Sequence, residues 1–237
     1  MKIFGHRGAS GDFPENTLEA FRGAVAQGAD GVELDVMQCA TGELVVCHDE
    51  WLDRLAGQNR ELARLSLREL KSLDVGTRLG FARAEIPTLA EVFDALPPGF
   101  TVNVEIKCDT VDDHGLSVKV GAFVEREGLA DRVFLSSFNP LCLVRLARTY
   151  PSLKRGLLID PEKSFAMQGY GWLFFTAKTS VHPHFSQCTE SRVSQWHDLG
   201  LEVAAWTVDD PIEAKRLQSL GVEYVITNRP GALRAVL

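Results

Sequence analysis

At 237 residues with a formal net charge of −7, and with 45% apolar and 24% charged residues, the chain can bury one sizeable core, in the range of roughly 250 residues that a single α/β barrel fills. The acidic balance and the lack of any Lys/Arg cluster exclude a basic nucleic-acid surface, and no apolar run approaches the ~20 residues of a membrane-spanning helix. Five cysteines (Cys39, Cys47, Cys108, Cys142 and Cys188) are an odd number without metal-finger spacing, which predicts reduced, mostly buried thiols.

Taken in chain order, "KIFGHR" predicts a strand that begins within the first residues. It leaves no room for a secretory leader, so a cytoplasmic location is expected. A helix follows over 17–28, then a strand over "GVELDVMQ" (31–38). From Met37 to Leu44 the chain is too short for a parallel crossover and contains Gly42, so "LVVCH" (44–48) reads as the return arm of a hairpin. Further strands are expected at "TVNVEIK", "RVFLSSF", "RGLLI", "TSVHP", "EVAAWTV" and "EYVIT". Eight parallel strands alternating with helices predict an α/β protein, a closed (β/α)8 TIM barrel, with residues 1–237 as one domain.

Helix signals agree with this rhythm. Asn16 with Glu19, Ser66 with Glu69 and Thr88 with Glu91 have capping-box spacing, and Gly28, Gly128, Gly200 and Gly221 stand where helices should stop. The long connection after the second strand, about 50–87, is an insertion expected to carry an extra helix (66–73) before the barrel's second helix (88–96). It is a candidate cap over the mouth.

Active sites of such barrels lie at the C-terminal strand ends. His6 and Arg7 end the first strand, Glu33 and Asp35 the second, and Glu105 and Lys107 the third. Period-two alternation puts Glu33 and Asp35 on one face, and Glu105 and Lys107 on one face. Three converging carboxylates are costly without a cation, and an all-oxygen set suits Mg²⁺ or Ca²⁺. His48, carried back by the hairpin, adds a second imidazole. Arg7 and Lys107 supply donors to an anionic oxygen, although Arg7 can also be read as an ion-pair partner of Glu33. Together these groups describe a phosphoryl-transfer site.

Other polar residues have blander readings. Asn16 is expected to be a helix cap, and Asp49 to orient His48 or pair with Arg54. His182 and His184 flank Pro183 without a third ligand, so no second metal is expected there, and His114 and His197 are expected on helices, solvated.

The motifs "HRG…PENTLEAF…GADGVELDV…LVVCHDEWLDR", "EIK", "SSF", "AWTVDDP" and "ITNRPG" span the whole chain, which in this order resembles the glycerophosphodiester phosphodiesterases. The resemblance implies metal ligation by Glu33, Asp35 and Glu105, acid/base roles for His6 and His48, phosphate contact by Arg7 and Lys107, and glycerol contact near Phe138 and Trp206. It implies a divalent cation as cofactor and a small glycerophosphodiester as substrate, with neither nucleic acid nor stable membrane insertion. A related enzyme acting on a lysophospholipid, and a non-catalytic phosphoester-binding module, are the alternatives. The chain departs from the family pattern at "CATGEL", where an Asp-Gly turn is usual, and at Asn228, where an acid is often found.

Overall fold

Among the described residues, nine strands form one sheet: β1 (Lys2–His6), β2 (Gly31–Gln38), β3 (Leu44–Val46), β4 (Thr101–Ile106), β5 (Val133–Ser137), β6 (Lys154–Ile159), β7 (Ser180–Pro183), β8 (Glu202–Ala205) and β9 (Tyr224–Thr227). The computed structural model describes residues 1–108, 110–162, 172–176 and 178–237. Eight strands run parallel, and β1 pairs with both β2 and β9, which closes the expected (β/α)8 barrel. The ninth, β3, lies antiparallel on the end of β2, with Val36 opposite Val46, as the short Gly42-containing connection predicts.

The strands carry apolar residues on both faces because both are covered. Outward Val32, Leu34, Val104 and Leu135 pack against the helices, and inside the barrel Phe4, Phe134, Ala204, Tyr224 and Ile226 form a second layer. The insertion has an apolar cluster of its own, in which Leu52, Leu55, Leu62, Leu65, Leu70 and Ile86 pack against Met37, Val45 and Cys47 of the hairpin.

Helices α1 (Leu18–Ala26), α2 (Asp53–Ala56), α3 (Leu67–Ser72) and α4 (Leu89–Ala95) follow in order, and later helices alternate with the remaining strands. Both expected capping boxes at Ser66–Glu69 and Thr88–Glu91 form reciprocally. The third does not. Thr17 caps α1 by accepting from the Ala20 amide, while Asn16 adopts a φ of 57° and turns its buried amide onto Asp35. An amide is tolerated in the left-handed region, and an ionised carboxylate is a stronger partner than a helix amide. His114 precedes the helix Leu116–Arg126 instead of lying on it, and is exposed. His197 lies on a helix as expected but pairs with Glu223 at 3.1 Å. The four glycines predicted to end helices all have positive φ.

The loop after β1 is held close to α1. Gly8 has a φ of 85°, and a Cβ there would come within 2.5 Å of the Ala20 carbonyl carbon. Gly8→Ala is therefore expected to destabilise the protein by about 2–4 kcal/mol, combining left-handed strain with a backbone clash. Chemical denaturation of the metal-free protein checks this, and a change below 1 kcal/mol would show that the loop can shift away.

Candidate active site

Because β2 and β4 are in register, with Asp35 opposite Glu105 and Glu33 opposite Asn103, their alternate residues rise side by side toward the barrel mouth. Glu33, Asp35 and Glu105 are all buried and bring carboxylate oxygens within 4.8 Å of one another. Burial, together with the neighbouring Asp35 and Glu105, pushes the Glu33 carboxyl well above the usual range. Burial raises Glu105 too, against the pull of Lys107. Asp35 is equally buried, yet Arg7 and then Lys107 hold it below its ordinary value.

The two cations are packed among these acids. Arg7 lies just past the end of β1 with a φ of 55°, which points its backbone amide at Glu33 Oε2 (3.0 Å). Its guanidinium pairs with Glu15 at 2.8 Å and Asp35 at 3.2 Å, not with Glu33. Lys107 Nζ sits 2.8 Å from Glu105 and 3.6 Å from Asp35. Asp35 Oδ1 is buried without a hydrogen-bond donor. A three-carboxylate cluster with one oxygen left without a hydrogen bond among the described residues, and two members resisting ionisation, fits a hard divalent cation.

The two imidazoles are fixed by different partners. Asn228 donates through Nδ2 to Asp209 (2.6 Å), so its Oδ1 is the acceptor that meets His6 Nδ1 at 2.7 Å. His6 then carries hydrogen on Nδ1 and keeps the Nε2 lone pair for the pocket. Burial, and next Arg7, lower its pKa to about 4, so the ring is neutral. His48 Nδ1 meets Asp49 Oδ1 at 2.7 Å. Asp49 is held far below its ordinary value despite burial, by hydrogen bonds from His48 and Arg54, and Arg54 also grips Glu15. Both sequence readings of Asp49 therefore hold.

An open pocket of about 390 Å³ is lined by polar His6, Arg7, Glu33, His48, Glu105 and Lys107 and by apolar Phe138, Leu158 and Trp206. The Phe138 and Trp206 rings meet edge-on at 5.4 Å. The structure thus brings every sequence-predicted site residue to one mouth, with Asp35 directly behind it. Residues the sequence reading left out are Glu15, Asn103 and Asp209. Asn103 had a readable signal, since it shares the period-two face of Glu105 and Lys107, whereas Glu15 and Asp209 arrive from loops whose path no periodicity gives. His182 is buried inside the barrel and His184 stacks near Trp206, so the two form no ligand pair.

Among known proteins, the profile of the glycerophosphoryl diester phosphodiesterase family matches residues 6–232. A glycerophosphodiester phosphodiesterase of Caldanaerobacter subterraneus subsp. tengcongensis is 35% identical over 240 residues, covering 98% of this chain and 95% of that one. The structure is similar to that of an Oleispira antarctica phosphodiesterase in complex with the product sn-glycerol-3-phosphate, with a TM-score of 0.85 and 30% identity, covering 100% and 96% of the two chains. It is also similar to a Silicibacter pomeroyi protein described as a putative glycerophosphoryl diester phosphodiesterase, with a TM-score of 0.86 and 28% identity, covering 100% and 92%.

Proposed function

Because the chain belongs to the glycerophosphoryl diester phosphodiesterase family and is one of its enzymes, we propose that it cleaves small glycerophosphodiesters to sn-glycerol 3-phosphate and a free alcohol, with His6 as base and His48 as acid. The observation that carries this reading is the pair of imidazoles on one carboxylate cluster, each with Nδ1 engaged and Nε2 left over. His6, neutral and held by an amide, is suited to take the proton of the attacking hydroxyl as the new P–O bond forms. His48, oriented through Nδ1 by the Asp49 carboxylate, is suited to protonate the departing alcohol oxygen as the old P–O bond breaks.

Glu33, Asp35 and Glu105 would hold Mg²⁺ or Ca²⁺, which when bound supplies Lewis-acid polarisation of phosphate oxygen. Once these carboxylates are shared with a cation, Arg7 and Lys107 become available to the phosphate oxygens, Arg7 through a planar fork and Lys107 as a point charge. The Phe138 and Trp206 rings offer an apolar wall to the glycerol carbons. A small dissolved substrate, a cytoplasmic place of action and one barrel domain with its insertion at about 50–87 complete the proposal, and no helix among the described residues is long and apolar enough to cross a membrane.

Release of glycerol 3-phosphate from glycerophosphocholine, glycerophosphoethanolamine and glycerophosphoglycerol tests the proposal. Turnover is expected with Mg²⁺ or Ca²⁺, and its loss is expected with chelator. A folded, metal-binding protein that leaves all three esters intact would overturn it in favour of a lipid phosphodiester.

A further inference from the structure

Four polar atoms lie buried inside the barrel with no hydrogen-bond partner among the described residues: Nδ2 and Oδ1 of Asn103, Oγ of Ser136 and Nδ1 of His182. Each of the three residues is 2% exposed or less. They face inward from β4, β5 and β7. On β6 between the last two stands Gly156, where a Cβ would come within 2.3 Å of His182 Nε2. The absent side chain leaves room for the imidazole over β6, and its Nε2 meets Oγ of Ser180 on its own strand at 2.9 Å.

A small cavity of about 10 Å³ lies beside this imidazole, with Asn103, Ser180 and His182 in its lining, room for a single water. Asn103 and Ile226 line both this cavity and the catalytic pocket, so the Asn103 amide stands in the partition between them. Buried amides are nearly always partnered by protein or ordered water. An amide with neither end paired, set between a one-water space and a ligand pocket, calls for one partner on each side.

We propose that Asn103 is a ligand-contacting residue of the active site, its Oδ1 held from below by a water shared with His182, and its Nδ2 donating to an oxygen of bound glycerophosphate. The ligand half rests on the phosphodiesterase reading above. Charge sets the orientation, because carboxylates and phosphate on the pocket side only accept, which places the donor end there. Below, His182 Nε2 and Ser180 Oγ share a hydrogen bond, and in the tautomer in which Ser180 Oγ donates, Nδ1 carries hydrogen and donates to the water. One water hydrogen then serves Asn103 Oδ1. Burial lowers the His182 pKa to about 3, so the ring adds no charge to the interior.

Calorimetric binding of sn-glycerol 3-phosphate and of Mg²⁺, with a crystal structure at about 1.5 Å, tests both halves in wild type, Asn103→Leu and His182→Phe. Asn103→Leu keeps the volume and removes both polar atoms, and is expected to weaken sn-glycerol 3-phosphate at least tenfold while leaving Mg²⁺ binding within twofold and the melting temperature no lower. Density for one water is expected in the wild type and not in His182→Phe, which should weaken sn-glycerol 3-phosphate two- to threefold. Asn103→Ser, smaller and still polar, serves if the Leu variant does not fold, and is expected to lose most of the same affinity. Unchanged sn-glycerol 3-phosphate binding in the Asn103 variants would reduce the residue to packing, and a dry wild-type cavity would overturn the water. A wild type that holds the water but does not bind sn-glycerol 3-phosphate would overturn the functional reading and the ligand half together, leaving the interior site standing.

Discussion

Glu33→Gln is expected to lower kcat/KM by roughly 10³-fold or more, the several kcal/mol that Lewis-acid stabilisation contributes, and to make the metal-free protein more stable. Both effects follow from one side chain buried beside two other acids. The folded-state pKa of Glu33 lies above its unfolded value. Its contribution to stability is therefore fully present below the unfolded pKa and lost as pH rises through the folded one. At neutral pH the ionised form is a net cost unless a cation shares it. Glutamine keeps an oxygen for the Arg7 amide, which Glu33 now accepts at 3.0 Å, and removes the repulsion. Thermal melts with chelator should show the wild type losing stability from mildly acidic to neutral pH, with a flatter curve for the variant. Added Mg²⁺ should raise the melting temperature of the wild type alone. A lower melting temperature for the variant at neutral pH would instead identify Glu33 as a structural anchor of the loop after β1.

His48→Ala is expected to cut kcat by about 10²–10⁴-fold on glycerophosphocholine, the range of a lost general acid, and far less on a nitrophenyl ester of glycerol phosphate. A nitrophenolate departs without a proton, so the step proposed for His48 is bypassed. His6→Ala should lose both substrates alike, because the attacking hydroxyl must be deprotonated whatever leaves. Parallel kinetics with the two esters separate the roles, and equal losses on both in His48→Ala would exchange them or assign His48 to binding.

Period-two alternation and strand order placed His6, Glu33, Asp35, Glu105 and Lys107 at one mouth, because neighbouring parallel strands in register leave little freedom in where alternate side chains rise. Gly42 and the shortness of the 37–44 connection similarly gave the hairpin that returns His48. Partners were much harder to read. Asn16 carries the same local spacing as Ser66 and Thr88, yet a buried carboxylate nineteen residues along the chain outcompetes the helix amide for it. The chain from Asp209 through Asn228 to His6 joins opposite ends of the sequence, and only closure of the barrel brings them together. Asn228 stood out in sequence as a departure from an acid, and in the structure it supplies a neutral acceptor to His6.

The insertion's separate apolar cluster sits behind the hairpin arm that presents His48, with Val45 and Cys47 packed into it. The imidazole proposed as the acid is thus suspended from a small outbuilding, while the three carboxylates are rooted in the barrel wall. A lineage can remodel that outbuilding, lengthening or trading its short helices, without disturbing the eight-stranded frame. On the function proposed above, the part that steers the acid toward each departing alcohol is packed apart from the barrel core, so new leaving-group preferences can arise here with little risk to folding.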